Sequence, residues 1–163
     1  MKAIIIAPSL SGKTSIIKYL QENYDFNVSE MDEELTKINN GKFPEDAKSK
    51  HDVLAFKVIK QILLLKDIIF FTNTNYFSDQ DLIKAKELGF KIIQLDLSIE
   101  ELRKRNKKRM ENEGYDDMSR WLDGMVEYQE NIFEKGFVDR KISAVQPASE
   151  AVKDLLDYTN TKK

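Results

Sequence analysis

The sequence predicts an α/β protein, a three-layer sandwich in which a five-stranded parallel sheet carries helices on both faces. Five short stretches of strand character alternate along the chain with longer stretches of helical periodicity, and this alternation favours a parallel sheet. Residues 3–7 and 67–72 are almost continuously apolar, as is typical of strands buried on both faces. With 163 residues, the chain is expected to form one domain, residues 1–163.

Composition narrows the class of protein. Hydrophobic residues make up 41% of the chain and charged residues 33%, and the net charge of −2 offers no global field that would attract nucleic acid. The absence of cysteine excludes a disulfide scaffold or a thiolate site. No stretch approaches the roughly 20 apolar residues that cross a bilayer. We therefore expect a cytoplasmic protein without a membrane partner, and the oligomeric state is left open.

The most informative motif follows the first predicted strand directly. Residues 7–14 read Ala-Pro-Ser-Leu-Ser-Gly-Lys-Thr, and apolar residues at helical spacing come next. A strand, a turn of small residues, a Lys and a Thr in this order are typical of a phosphate-binding loop at a helix N-terminus, where N–H groups and the helix dipole favour anions. We predict that ATP and Mg²⁺ bind here, with Thr14 as the metal ligand and the nucleotide held by Pro8, Ser9, Leu10, Ser11, Gly12, Lys13, Thr14 and Ser15.

Two positions depart from the usual pattern of such loops. Ala7 takes the place of the first Gly, so the chain must leave the strand without a positive φ at this residue. Asn73-Thr74-Asn75 follows the third strand, where many phosphate-loop proteins carry an Asp that orients the magnesium. Asn73 can orient a metal-bound water through its carbonyl oxygen, but without a charge. The acid that serves the metal is therefore left open.

An acidic cluster follows the second predicted strand, residues 26–29. Glu30-Met31-Asp32-Glu33-Glu34 would lie at the carboxyl end of this strand, where open sheets bind their ligands. Asp32 is predicted to accept a proton from an acceptor hydroxyl or to orient it. The alternative is that the carboxylates only stabilise the first turn of a short helix. The polar residues 35–50 are predicted to bind the acceptor.

A basic run occupies the helix after the fourth strand. Arg105 and Arg109 are four residues apart and so share a helix face. Guanidinium groups bind phosphate oxygens in bidentate fashion, so we predict that both neutralise charge on a transferring phosphoryl group. The alternative is a solvated charged helix, and a surface position is predicted for Lys104, Lys107 and Lys108.

Three further expectations concern packing. A long helix is predicted to bury a broad apolar face that includes Val53 and Phe56. The aromatic residues of the helix predicted over residues 118–133, among them Trp121 and Tyr128, are expected to pack in the core rather than to stack on a base. Residues 159–163 are expected to fray.

This layout resembles the P-loop nucleoside, nucleotide and polynucleotide kinases. Residues 101–109 and the Thr74-Asn75 pair add a local likeness to the phage polynucleotide 5'-kinase domain. The resemblance implies that Lys13 and Thr14 handle phosphates and magnesium, that Asp32 activates the acceptor hydroxyl, and that Arg105 and Arg109 belong to a mobile lid around residues 103–120. The chain departs from the polynucleotide kinases at Asn73, where they carry an acid, and at Leu35, where they carry an Arg.

The function expected from the sequence is ATP-dependent transfer of the γ-phosphoryl group to a small-molecule acceptor, a nucleoside or nucleotide. Lys13, Asp32, Arg105 and Arg109 are the predicted catalytic residues. One alternative is a kinase for a polynucleotide 5'-hydroxyl or for a small metabolite such as a sugar acid, although a nucleic acid partner is not favoured. A switch or motor ATPase is a second alternative, against which the chain has neither Asp-x-x-Gly nor Asn-Lys-x-Asp. A non-catalytic nucleotide binder is the third.

Overall fold

A computed structural model describes residues 1–160 of the chain. The strands are β1 (Lys2–Ile6), β2 (Val28–Glu30), β3 (Ile68–Thr72), β4 (Lys91–Asp96) and β5 (Arg140–Ser143). The helices are α1 (Lys13–Asn23), α2 (Met31–Ile38), α3 (Ala47–Ser49), α4 (Ala55–Leu63), α5 (Asp79–Glu87), α6 (Ile99–Glu113), α7 (Ser119–Glu134) and α8 (Ala148–Asn160). A π-helical turn, Lys50–Leu54, joins α3 to α4.

The five strands form one parallel sheet in the order β2-β3-β1-β4-β5. The central strand is β1, where Ile5 pairs with Phe71 of β3 on one side and with Ile93 of β4 on the other. The chain crosses from one side of β1 to the other after β3, so a crevice opens beyond the carboxyl ends of the strands. The predicted five-stranded parallel sheet is confirmed.

Alternate side chains of each strand face two separate layers of helices. Ile5 and Phe71 belong to a core that also contains residues of α1 and α8, whereas Ile4 and Phe70 belong to a core with residues of α2, α4 and α5. These four strand side chains are at most 1% exposed. Both faces of the sheet are therefore covered, which gives the predicted three-layer arrangement.

The buried apolar face of α4 is narrower in the structure than the sequence predicts. Val53 and Phe56 are 46% and 51% exposed, so their assignment to the core was wrong. Val53 lies in the π-helical turn, whose wider winding places it out of phase with the buried stripe of α4. Phe56 lies beside that stripe, with the ammonium group of Lys60 over its ring at 4.8 Å from the centroid.

The aromatic residues of α7 divide between core and surface. Tyr128 packs as expected, and its hydroxyl donates a hydrogen bond to the carbonyl oxygen of Phe77 at 2.7 Å. Trp121 is 51% exposed, so its expected core position was wrong. The guanidinium of Arg120 lies 4.6 Å from the ring centroid of Trp121, so it covers one face of the indole.

A buried amide of α7 supports the sheet beneath the site. The last pair between β1 and β4 is Ile6 with Gln94. Just beyond it, Nε2 of Gln129 donates to the carbonyl oxygens of Ile6 at 3.2 Å and Leu95 at 3.4 Å. The side chain of Gln94 in turn donates to the backbone carbonyl of Gln129 at 2.8 Å. α7 is thereby fixed to the point where the two strands separate.

The final helix continues further than the predicted fraying allows. Thr159 lies within α8, and its hydroxyl donates to the carbonyl oxygen of Leu155 at 2.9 Å. The rest of the segment predicted to fray includes residues 161–163, which lie outside the described residues. None of the helices in residues 1–160 combines the length and the apolar character needed to cross a membrane.

Candidate active site

The phosphate loop, residues 7–14, connects β1 to α1 through two residues with left-handed backbone conformations. Gly12 has φ +84°, which glycine adopts without strain, and Leu10 has φ +72°, which is unusual for a residue with a Cβ. Ala7 is not among the residues with positive φ, and its N–H donates to the carbonyl oxygen of Thr72 at 2.9 Å. The loop therefore turns at Leu10 and Gly12 rather than at its first residue.

The loop presents a set of donors that no protein group satisfies. Within residues 1–160, the N–H groups of Gly12, Lys13, Thr14 and Ser15 donate no hydrogen bond. The hydroxyl of Ser11, a residue only 1% exposed, also has no partner there. Unsatisfied donors at a helix N-terminus, together with the helix dipole, fit an anion such as a phosphate group.

Four polar side chains from three strand ends meet beside this loop. The ammonium of Lys13 lies 3.7 Å from Oε2 of Glu30, the last residue of β2. It also donates a hydrogen bond to Oδ1 of Asn73, which follows β3. The amide of Asn73 then donates to Oδ2 of Asp32 at 3.4 Å. Asn73 thus places the ammonium group and the carboxylate on either side of one amide.

The carboxylate of Asp32 has one oxygen without a partner. Oδ1 is buried and accepts no hydrogen bond from the described residues. Tyr76 is close enough that the charge of the carboxylate affects the pKa of its phenol. Burial raises the pKa of Tyr76 above its ordinary value, and the charge of Asp32 raises it further. An unsatisfied carboxylate oxygen in a cleft suits a hydroxyl donor from a bound molecule.

Arg105 lies against the phosphate loop and is held by protein groups. Its Nη1 donates to the carbonyl oxygen of Leu10 at 2.9 Å and its Nη2 to that of Ala144 at 3.0 Å. Its Nε donates to Glu101 at 3.3 Å. The guanidinium therefore ties the strained turn at Leu10 to the loop that follows β5.

Arg109 lies one turn further along α6. Its guanidinium stacks on the ring of Tyr115 at 4.1 Å from the centroid, and its Nε lies 3.8 Å from Glu113. Neither contact buries the group, since its side chain is 39% exposed. Arg109 lies in the cleft but is not aimed at the loop by any hydrogen bond within the described part of the chain.

The segment predicted as a lid, residues 103–120, is mostly helical. α6 continues to Glu113 and ends at Gly114 with φ +68°. Asn106 fixes the following turn, because its amide donates to Oδ1 of Asp117 at 2.8 Å and its carbonyl oxygen accepts from the N–H of Met118 at 2.9 Å. The hydrogen bonds from Asn106 and Ser119 lower the pKa of Asp117 to about 2. The non-helical part of the segment is limited to residues 114–118.

These groups enclose one cleft of about 740 Å³. The predicted site residues Lys13, Asp32, Arg105 and Arg109 all line it, as does the predicted nucleotide loop, residues 8–15. The lining also includes four residues that are not among the predicted site residues: Glu30, Asn73, Lys108 and Glu113. Glu30 carried a usable signal, because it ends a strand two residues before Asp32. Lys108, predicted at the surface, is exposed but faces the cleft.

The chemistry of the cleft fits magnesium as well as phosphate. Within residues 1–160, no three acidic or His side chains form a metal-ligand cluster. Magnesium bound with a triphosphate does not require one, since it keeps several waters and takes few protein ligands. The hydroxyl of Thr14 and the carboxylate of Glu30 line the same cleft and would hold the ion and its waters. Glu30 is an acid of this cleft, whereas Asn73 carries no charge, so Glu30 is the residue that would serve the ion.

The strand order and the covering helices match the fold of several solved kinases. A shikimate kinase from Aquifex aeolicus matches with a TM-score of 0.74 at 21% identity, over 96% of this chain and 94% of that chain. A shikimate kinase from Acinetobacter baumannii, in complex with shikimate, matches with a TM-score of 0.74 at 16% identity, over 100% and 96%. A gluconokinase from Sinorhizobium meliloti has a TM-score of 0.60 at 18% identity, over 93% and 87%.

At these identities the likeness shows the fold. No family model matches the sequence, and neither does any curated protein. The predicted resemblance to P-loop kinases is confirmed at the level of the fold. The narrower likeness to the phage polynucleotide 5'-kinase domain is not shown by these comparisons, and neither is a nucleoside or nucleotide acceptor.

Proposed function

We propose that this protein is an ATP-dependent kinase that phosphorylates a hydroxyl group of a small, polar metabolite. The observation that carries the proposal is the buried, unpartnered Oδ1 of Asp32, which shares a cleft with the unsatisfied donors of the phosphate loop. The first group suits a hydroxyl donor and the second an anionic phosphate chain. A kinase needs both within one cleft.

The loop and Lys13 bind the donor. The free N–H groups of residues 12–15 hold the phosphate chain, and the ammonium of Lys13 neutralises the oxygens nearest the bond that breaks. Asn73 and Glu30 keep this ammonium in place through the contacts described above. Magnesium, when bound at Thr14 and Glu30, adds positive charge beside the phosphates. Arg105 is a positioning residue that fixes the backbone at Leu10.

Asp32 acts on the acceptor. Its free oxygen accepts the hydrogen bond of the attacking hydroxyl and takes its proton as the oxygen forms a bond to the γ-phosphorus. The bond between the γ-phosphorus and the bridging oxygen breaks, which releases ADP. Asn73 holds the second carboxylate oxygen, so the first stays directed into the cleft.

A cation lies near Tyr76, whose phenol is close to Asp32, and would favour an acceptor that carries a negative group as well as hydroxyls. Lys50 lies with its ammonium 5.9 Å from the ring centroid of Tyr76 and 5.2 Å from that of Phe43. His51 stacks on Tyr76, with the ring centroids 4.6 Å apart. The structural neighbours also act on hydroxylated acids, since one is a shikimate kinase in complex with shikimate and another is a gluconokinase. A sugar acid therefore fits better than a nucleoside.

The test is ADP release measured with a panel of acceptors. The panel contains shikimate, gluconate and other sugar acids, neutral polyols, nucleosides, nucleoside monophosphates and 5'-hydroxyl oligonucleotides. We expect turnover with a hydroxylated acid and none with Lys13→Ala. Lys18→Ala is the matched control, since Lys18 is a solvent-exposed lysine of α1 whose ion pair with Glu22 lies outside the cleft.

Three results would contradict the proposal. Turnover confined to nucleosides or nucleotides would restore the acceptor expected from the sequence. ATP hydrolysis that no acceptor accelerates would indicate an NTPase. ATP binding without transfer to any acceptor would indicate a non-catalytic nucleotide binder.

A further inference from the structure

Three cations from one helix line the phosphate cleft, and they differ in what holds them. Arg105, Lys108 and Arg109 lie on α6 at spacings of three and four residues, which places them on one face of the helix. Such a set resembles three equivalent ligands for a triphosphate. Their contacts show that they are not equivalent.

Two of the three are already engaged. Arg105 uses Nε, Nη1 and Nη2 on three protein acceptors. Arg109 is paired with Glu113 and stacked on Tyr115. Arg105 would have to give up protein contacts before it could bind an anion in the cleft. Arg109 keeps its Nη groups, but the adjacent carboxylate of Glu113 offsets its charge.

Lys108 differs from both arginines, because no group in the described part of the chain binds its ammonium. Within residues 1–160, its ammonium has no hydrogen bond, ion pair or ring contact, although it is exposed at the wall of the cleft. Its neighbour Lys107, which is also exposed, lies outside the cleft lining, and its ammonium is 4.0 Å from Glu111. The lysine ammonium is a compact charge on a flexible stem, which suits binding to phosphate oxygens whose position changes during transfer.

We propose that Lys108 is the cation of α6 that binds the phosphate chain of the nucleotide, while Arg105 braces the loop. This assignment rests on the proposed nucleotide site and adds to it a specificity residue for the number of phosphates. The cleft contains four cationic and three anionic side chains, so the removal of Lys108 leaves it without an excess of positive charge. The effect should therefore grow with the charge of the ligand.

The test compares binding of ATP, ADP and AMP by isothermal titration calorimetry in wild type, Lys108→Gln, Lys108→Arg and Lys107→Gln. We expect Lys108→Gln to weaken ATP binding about tenfold, ADP binding less and AMP binding little, because one charge-assisted contact to phosphate is lost. Lys108→Arg should keep most of the affinity and Lys107→Gln all of it. Added salt should lower the ATP affinity of the wild type more steeply than that of Lys108→Gln.

Several outcomes overturn the inference. Equal ATP affinities in Lys108→Gln and Lys107→Gln would show that Lys108 is a surface residue. An equal loss for AMP and ATP would place its effect on the nucleoside or on the fold. Failure of the wild type to bind ATP at all would remove the proposed function together with this inference, and that result is distinct because it appears without any substitution.

Discussion

Arg105 illustrates how a residue's surroundings decide what its charge does. The sequence predicts that it binds phosphate, because the spacing of α6 places it with Arg109 on one face. Which atoms its guanidinium meets depends on Leu10 and Ala144, which are 95 and 39 residues away in the chain. No local pattern contains that information. Its predicted contact with the phosphoryl group stays a prediction.

We expect Arg105→Lys to lower the free energy of unfolding by about 1–2 kcal/mol, because a single ammonium cannot replace the three hydrogen bonds of the guanidinium. ATP affinity should also fall, since the turn at Leu10 is less well fixed. Thermal melts and ATP titrations measure both. Arg103→Lys is the control, because Arg103 is 61% exposed and its guanidinium pairs with the exposed Asp123. A melting temperature equal to that of the wild type would contradict the bracing role.

For Asp32→Asn we expect kcat to fall by about 100-fold or more with ATP affinity nearly unchanged, because the amide occupies the same space but takes no proton. Steady-state kinetics with the accepted substrate, together with ATP titration, separates the two effects. Glu33→Gln serves as control, since Glu33 is exposed and pairs with Lys37 at 3.2 Å. A loss of only a few-fold would mean that Asp32 orients the acceptor without accepting its proton.

At the scale of elements, the sequence locates α6 and its basic face but not the turn that follows. A polar segment with Gly114 predicts that the helix stops. It does not predict that the buried Asn106, 6% exposed, holds Asp117 and Met118, which lie 11 and 12 residues further along the chain. The narrow apolar stripe of α4 has a similar origin, because a π-helical turn shifts the phase of the residues before it.

The stabilisation by Asp117 should depend on pH. Hydrogen bonds to its carboxylate lower its folded pKa to about 2, below the ordinary value of 3.8. The folded state therefore favours the charged form, and its contribution is complete above about pH 4 and disappears as the pH falls towards 2. The melting temperature of the wild type should exceed that of Asp117→Asn by a constant amount between about pH 5 and 7.

Below about pH 4 this gap should shrink as both chains carry a neutral side chain at position 117. The difference between the two melting curves isolates Asp117 from the other carboxylates, which titrate in both proteins. Asp116→Asn is the control for a charge change at a neighbouring exposed position. A gap that stays constant down to about pH 2.5 would show that the hydrogen bonds do not depend on the charge of the group.

At the scale of the whole molecule, the parallel sheet and its three layers could be predicted because continuous apolar runs identify buried strands wherever they occur. Ile4, Ile5, Phe70 and Phe71 illustrate this, since all four are almost fully buried. The cluster of Lys13, Glu30, Asn73 and Asp32 could be predicted only in part. Its members follow three different strands, and their contacts depend on the order of those strands in the sheet.

Nucleotide binding should stabilise the entire fold, because the ligand binds only the folded loop. At an ATP concentration 100 times Kd, mass action adds about 2.7 kcal/mol, which corresponds to a rise of roughly 5–10 °C in the melting temperature of a domain of this size. Differential scanning fluorimetry with MgATP measures the rise. Lys13→Ala should lose most of it, whereas Lys18→Ala should keep it. An equal shift in both variants would place the nucleotide elsewhere.

The amide of Gln129 couples helix α7 to the ends of strands β1 and β4. Parallel strands that splay apart leave a gap, and here Gln129 occupies it from below with bonds to Ile6 and Leu95. A movement that separates β1 from β4 at this point must break the hydrogen bonds of Gln129, so it would also displace α7.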